Sequence, residues 1–436
     1  MNEIIEQKKN TKEVSKRNWL ENLKDQSWEA ELLVSAIAIF GTFQLFGGID
    51  WWVNSFINVL NPSQYFIGYM IVFFGLLAVS ILVAMFVIHF FLRAYWIGLI
   101  GLNSVFSDYS IEDTVYSKIY TKKIISILPK LKDSIKKVDE LCSVIFSAAF
   151  TFLLMYGYIA LFSCAYLLLY NMLSEYVAPI VLLIPLAFIV LISLLQFIVT
   201  LISNMKSNHD KEKLQIWNFK LVRLSSMIIF GPLYTSILQV SMIFGSNFKK
   251  KKSLVYLILV FVISGVGISF FQIFDTNIPY LIANETYFDA TKVHSEYYAS
   301  ENINNSFLLA PEIESDKITS SLVKVFIPIY TNEKRRREGV CEKFITDENN
   351  SKSVERQNKR IHFLNCYKKY HHVYLDEELV GTDFLKYTHP RTKQFGILVY
   401  VEVSNLKSGM HTIRVEKDFG AGDIQEWTIP FYTVIK

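Results

Sequence analysis

Residues 254–274 read LVYLILVFVISGVGISFFQIF, and residues 275–286, which follow, read DTNIPYLIANET. The first stretch carries no charged side chain. A helix that rises 1.5 Å per residue needs roughly 20 apolar residues to cross about 30 Å of hydrocarbon, where its backbone must hydrogen-bond internally. Upstream of this stretch, from Glu31, long apolar runs alternate with basic loops. From Asp275 onward apolar residues come only in short, strand-sized groups between charges. The join at Phe274 and Asp275 therefore separates a helical membrane domain from a water-soluble one.

Composition agrees with that division. The chain has 436 residues, 52% of them hydrophobic and 19% charged, which is more apolar surface than one soluble core uses. A net charge of +4 comes from loop lysines and gives no reason to expect a nucleic-acid partner. The first apolar run begins only after Glu31, behind a charged arm, so it reads as an anchor and not as a cleaved leader.

Five segments pass the length test, at about 32–49, 65–92, 144–170, 177–202 and 254–274. The third and fourth are separated only by residues 171–176, which requires an antiparallel helical hairpin. Gly265 and Gly267 in the last permit close helix approach. A sixth run, 224–244, is more polar: Ser225, Ser226, Gly231, Pro232, Thr235, Ser236 and Gln239 fall within it, and the Gly-Pro step is expected to break a helix near its middle. It either enters and returns on one side or crosses as a kinked sixth helix.

Lysine and arginine placement orients the chain. The arm carries Lys8, Lys9, Lys12, Lys16, Arg17 and Lys24, and the loop after the second helix carries Lys118, Lys122, Lys123, Lys130, Lys132, Lys136 and Lys137. Both belong in the cytoplasm, whereas the connections after the first and third helices contain no lysine or arginine and belong outside. Arg93, with Lys249, Lys250, Lys251 and Lys252, then forms an inner-leaflet anchor, with Arg93 snorkelling to headgroups one helical turn from His89. If 224–244 is re-entrant, every basic cluster stays inside and the final domain lies outside, and this is the preferred reading. The tail of the arm, with Trp19 and Trp28, and the segment Ile97–Leu141 both have the spacing of amphipathic surfaces.

The expected organisation is a charged cytoplasmic arm (1–29), a helical transmembrane domain (30–276), a linker (277–321) and an antiparallel β-sandwich (322–436). Period-two alternation at Val323, Val325, Ile327 and Ile329 marks one strand; others are expected at 361–366, 372–375, 397–403, 412–415 and 427–434. Glu333–Glu338 and Thr346–Arg360 read as exposed loops. Cys341 and Cys366, the two cysteines of this domain, are a disulfide candidate, with two buried thiols as the alternative.

Val373-Tyr374-Leu375-Asp376-Glu377-Glu378-Leu379-Val380-Gly381-Thr382, followed by Leu406-Lys407-Ser408-Gly409-Met410-His411-Thr412-Ile413-Arg414-Val415, resembles the strand pattern of PEGA-type and related immunoglobulin-like modules. That resemblance implies an extracytoplasmic spacer or binding module. The sequence departs from the pattern where Glu377 and Glu378 stand in place of the usual hairpin glycine.

A P-loop, dinucleotide fingerprint, nucleophile elbow and HExxH motif are missing, so no catalytic residue, cofactor or metal site is expected. His371 and His372 are adjacent on a strand and point to opposite faces, which disfavours joint chelation. The leading expectation is a non-enzymatic protein of the cell (inner) membrane that displays an extracytoplasmic domain for assembly, sensing or adhesion. Its expected partners are the bilayer, a surface protein or envelope polymer, and a second copy of the chain. The alternatives are a channel or permease with a pore built around 225–239, and a membrane enzyme acting on lipid or an envelope polymer.

Overall fold

The structure, a computed structural model, describes residues 2–106, 115–173, 176–247, 251–288, 292–302, 306–345, 351–380 and 383–434. Lys249 and Lys250 lie outside the described residues, as do the side chains of Lys251 and Lys252 and those of the arm up to Trp28. The chain divides into two compact units, Met1–Ile49 with Phe73–Gln272, and Asp50–Val72 with Ile273–Lys436.

The helical unit is built from α1 (Asn2–Val59), α2 (Tyr65–Val105), α3 (Lys118–Ile127), α4 (Leu131–Leu173), α5 (Pro179–Ser203), α6 (Glu212–Phe230), α7 (Tyr234–Asn247) and α8 (Lys251–Phe274), with the division between units falling inside α1 and α2. Among the described residues six stretches are long and apolar enough to cross a membrane: Glu29–Val59, Pro62–Val105, Lys118–Leu173, Ile180–Ser203, Glu212–Ile243 and Tyr256–Phe274. Leu82, Met85, Phe86, Ile145, Ala149 and Phe261 form a core among α2, α4 and α8. A Cβ at Gly265 would run into Ile81, so the missing side chain sets how closely α8 approaches α2. The α5–α6 hairpin is tied by amides: Gln215 Nε2 donates to the carbonyls of Ser203 and Asn208, and Thr200 donates to Asn218 Oδ1 at 2.9 Å.

The expected break near Gly231 is present. α6 ends at Phe230, residues 231–233 form a 3-10 turn, and α7 starts at Tyr234. Gly231 has φ +49°, and a Cβ there would overlap the Tyr158 hydroxyl of α4. Ten residues later, Ser241 shares a cavity wall with Val144, Ala148 and Phe152, far back along α4 toward its start. α7 thus runs antiparallel to α4. α6, which lies antiparallel to α5 through Asn218 and Thr200, runs the other way. α6 and α7 therefore double back about Gly231.

In the second unit, α9 (Tyr280–Ala283) and two further 3-10 turns precede β1 (Lys317–Ile318) and β2 (Leu322–Pro328). Then come α10 (Glu333–Arg336), α11 (Lys352–Tyr370), β3 (His371–Leu375), β4 (Glu378–Leu379), β5 (Leu385–Thr388), β6 (Phe395–Glu402), β7 (Gly409–Asp418) and β8 (Ile424–Thr433). One sheet has the order β1-β8-β7-β3-β4 and the other β2-β6-β5. Val323, Val325, Ile397 and Val399 from the smaller sheet and Ile413, Val415, Trp427 and Ile429 from the larger share one buried core, as two facing sheets require.

Several expectations are corrected here. The sheet domain is mixed and not purely antiparallel, because β1 pairs in parallel with β8 (Lys317↔Tyr432). Residues 361–366 are helical, not a strand. Ser351 caps α11, and Cys366, Tyr367 and Tyr370 recur at helical spacing to enter the core, a period invisible in the six-residue window. Glu333 is fully buried in α10 and not in an exposed loop. Residues 277–321 are no linker: Tyr297, Tyr298, Leu308 and Ile313 are all buried, and Glu312 pairs with Phe326.

Cys341 and Cys366 are joined by a disulfide that ties the segment after α10 to α11. Within the same unit, the 330–332 segment caps the end of α1. Asn332 Nδ2 donates to the carbonyls of Ile57 (3.0 Å) and Leu60 (2.8 Å), its backbone N–H donates to Asn58 O, and Thr331 N–H donates to Asn58 Oδ1. These bonds satisfy carbonyls that a helix end leaves without partners. Asn277 adds a bond to Asn54 at 2.7 Å, and Tyr280 packs on Tyr65.

Candidate functional site

Among the apolar helices the chemistry is concentrated where α1, α2 and α4 meet. Arg93 is 1% exposed, enclosed by protein groups. Its guanidinium pairs with Glu31 of α1 and, at 2.6 Å, with Asp139 Oδ1 of α4, and it lies 4.6 Å from the centre of the Trp96 ring. His89, fully buried one turn earlier on α2, contacts Ser35 Oγ through Nδ1 at 2.7 Å. The Ser35 hydroxyl also lies 2.7 Å from the Glu31 carbonyl. If it donates there, His89 Nδ1–H is the donor to Ser35 and Nε2 is left as an acceptor. That Nε2 has no hydrogen-bond partner and lies 4.0 Å from Glu31 Oε2, and Arg93 Nε is likewise unpartnered. Cys142 is buried one turn after Asp139.

Local sequence explains how these groups reach one place. Each stands at the edge of its helix's apolar run: Glu31 just before Leu32, Arg93 after Tyr65–Leu92, and Asp139 just before Val144. Among the described residues Arg93 faces both carboxylates, Glu31 and Asp139. A charge buried in this way persists only when paired, and removing one partner strands the other. The arrangement locks three helices together and leaves one imidazole nitrogen and one guanidinium N–H with unused hydrogen-bonding capacity.

The residues expected to line a pore are not brought together. Ser225 and Ser226 are buried, with Ser225 Oγ unpartnered, whereas Pro232, Thr235, Ser236 and Gln239 are exposed. A cavity of about 390 Å³ does exist nearby, lined by Ile81, Met85, Val144, Phe152, Ser241 and Phe261 among others, but none of the expected residues borders it. It is almost wholly apolar, with Ser241 the hydroxyl on its wall.

A second buried charge lies in the sheet unit. Lys417 Nζ donates to Glu333 Oε1 and to the Pro328 carbonyl, both at 2.6 Å, while Glu333 also accepts from Tyr330 N–H and the Tyr370 hydroxyl. Burial pushes the Lys417 ammonium below the ordinary lysine range, and pairing with Glu333 opposes that shift. Burial and the Lys417 charge hold His371 well below its usual value, so it stays neutral and gives its Nδ1 proton to Tyr367 O. On the other sheet, Glu312 is held between His389 Nε2 (2.9 Å) and Arg391. Among the described residues no group of three or more His, Cys, Asp or Glu side chains is placed to hold a metal ion.

Sequence reading missed the Glu31–Arg93–Asp139 cluster because its members are 46 and 62 residues apart. The available signal was that all three stand where an apolar run begins or ends. Comparison of the chain with family models, curated proteins and solved structures finds no match.

Proposed function

We propose that this chain is a polytopic protein of the cell membrane that holds its mixed-sheet domain on the outer face for assembly, sensing or adhesion. The observation that carries the reading is the capping of the α1 end by Asn332 and Thr331, which supports a sheet domain on the same side as the 57–65 turn. The 50–64 connection contains no lysine or arginine, which favours the outside.

Counting crossings gives an independent argument. Between that turn and Asp275 lie α2, α4, α5, the α6–α7 pair and α8. A turn and a domain on one side require an even number of crossings between them; α2, α4, α5 and α8 make four. The α6–α7 pair must then return to the side it leaves, which accords with its doubling back at Gly231. It also keeps the Lys249–Lys252 cluster on the side of the amino-terminal arm. The Cys341–Cys366 disulfide is a third support, since disulfides persist in oxidising compartments.

Helices α1 and α2 each run unbroken from the charge cluster, at Glu31 and Arg93, to the capped turn, at Val59 and Tyr65. We take that continuity as favouring sensing over passive display, since both helices lead along the chain from the turn to the charge cluster. The channel or permease alternative needs 225–239 on one water path, and the split between buried Ser225 and exposed Gln239 gives it no support. Protease added to intact cells is expected to remove the carboxyl-terminal domain and to spare it in inverted vesicles. The reverse pattern rules out the outward orientation.

A further inference from the structure

Residues 115–137 hold seven lysines and one acid, Asp133. None of the seven lysines has an ion pair to a described residue. α3 starts at Ser117, whose hydroxyl accepts from Tyr120 N–H, and ends before Pro129. Its inner face is Thr121, which is buried, with Ile124 and Ile125 half-buried. The opposite face carries Tyr116, Ile119, Tyr120 and Ile127, each more than half exposed, with Lys122 and Lys123 among them. The rings of Tyr116 and Tyr120 lie 5.7 Å apart. An exposed helix face that joins aliphatic and tyrosine side chains to unpaired lysines suits neither water nor an apolar core.

We infer that α3 and the first turns of α4 form a docking surface for anionic lipid headgroups of the leaflet that α2 leaves and α4 enters. This rests on the membrane reading above. The chemistry matches the partner at each point. Isoleucines reach the acyl boundary, tyrosines sit at headgroup depth, and flexible lysine stems carry ammonium groups to phosphates. Charge complementarity sets the sign, because the cytoplasmic leaflet is the anionic one and each lysine near it adds to binding. The join from α3 to Leu131 at the start of α4 keeps the face next to a candidate membrane-crossing helix, so binding needs no search through solution.

The test uses the full chain in nanodiscs of phosphatidylcholine alone and of phosphatidylcholine mixed with phosphatidylglycerol, read by hydrogen–deuterium exchange. Amides of 117–128 are expected to exchange on the order of tenfold more slowly in the anionic discs. The triple change Lys118→Gln, Lys122→Gln and Lys123→Gln is expected to abolish that slowing, and Ile119→Ser with Ile127→Ser to weaken it without changing charge. Unaltered exchange in β7 and β8 shows that each variant is folded. Equal exchange in the two discs overturns the inference, as does slowing that survives the lysine changes. Slowing produced by added polyglutamate in neutral discs, and absent with anionic lipid, overturns it in favour of an acidic protein. A chain that inserts into neither disc instead defeats the membrane reading itself.

Discussion

Lys417 in the sheet unit and Arg93 in the helical unit are each at most 1% exposed, and each faces carboxylate, yet the two sites are finished differently. Around Lys417 the bonds come closer to closing: two of the three ammonium protons meet a carboxylate and a carbonyl, and both oxygens of Glu333 have further donors. Around Arg93 they do not close. Among the described residues its Nε and the Nε2 of His89 have no hydrogen-bond partner. A fully satisfied buried pair is a pillar that helps specify one packing. A less fully satisfied one leaves polar groups with unused hydrogen-bonding capacity.

The contrast is sharpest if each site is broken by a single change. Glu333→Ala leaves the Lys417 ammonium buried without its carboxylate and is expected to cost about 3–5 kcal/mol, a large share of the ~5–15 kcal/mol of an ordinary domain. Denaturant unfolding followed through Trp427 fluorescence measures it. Adding Lys417→Met to Glu333→Leu is expected to recover most of the loss, since a well-packed apolar pair needs no compensation. A Glu333→Ala protein as stable as the parent removes the pillar reading.

Asp139→Asn should do less, because Glu31 still faces the guanidinium. A loss of about 1.5–3 kcal/mol is expected, the range for a hydrogen bond to a charged group. Thermal unfolding in nanodiscs checks this, and a loss as large as that of Glu333→Ala would erase the proposed difference between the two sites. Gly231→Ala tests the same unit at its bend. The backbone conformation alone, φ +49° with ψ −127°, costs a non-glycine residue about 1–3 kcal/mol, and the Cβ also meets Tyr158. Adding Tyr158→Ala is expected to restore the steric part and leave the backbone part.

The two units also differ in how much of them could be read from sequence. Apolar length alone located the helices, and Gly231-Pro232 located the break, because both are local properties. Strands β2, β6, β7 and β8 were legible from period-two alternation. What escaped depends on partners distant along the chain. Glu333 sits among charges in Glu333–Glu338 and reads as loop; its burial follows from Lys417, 84 residues on. Asn332 drew no reading from sequence, and its role as the cap of α1 depends on carbonyls more than 270 residues earlier. Arg93 at the end of an apolar run has an adequate explanation in snorkelling until Glu31 and Asp139 are placed beside it. Secondary structure was therefore largely visible, and the candidate site was visible only as unrelated charges.

The smallest effect separates an exposed charge pair from both buried ones. The β3–β4 turn has Asp376 at φ +45° and Glu377 at φ +72°, the double positive φ of a type I′ hairpin without its usual glycine. Side-chain bonds offset that strain: His411 Nδ1 meets Asp376 Oδ2 at 2.5 Å and Nε2 meets Lys407 O at 2.8 Å, while Thr412 N–H donates to Asp376 Oδ1. Both ring nitrogens face acceptors, so both bonds form only when the ring carries two protons. The bond to Asp376 accordingly raises the His411 pKa above its ordinary 6.5. For a group raised on folding, the added stability is complete below the unfolded value and is lost as pH climbs through the folded one. The hairpin should therefore be firmest below about pH 6.5 and loosen above it. An NMR titration of His411 is expected to show a midpoint above 6.5 that falls back in Asp376→Asn. A midpoint at or below the ordinary value would mean that the turn is held by its backbone alone, with no contribution from charge.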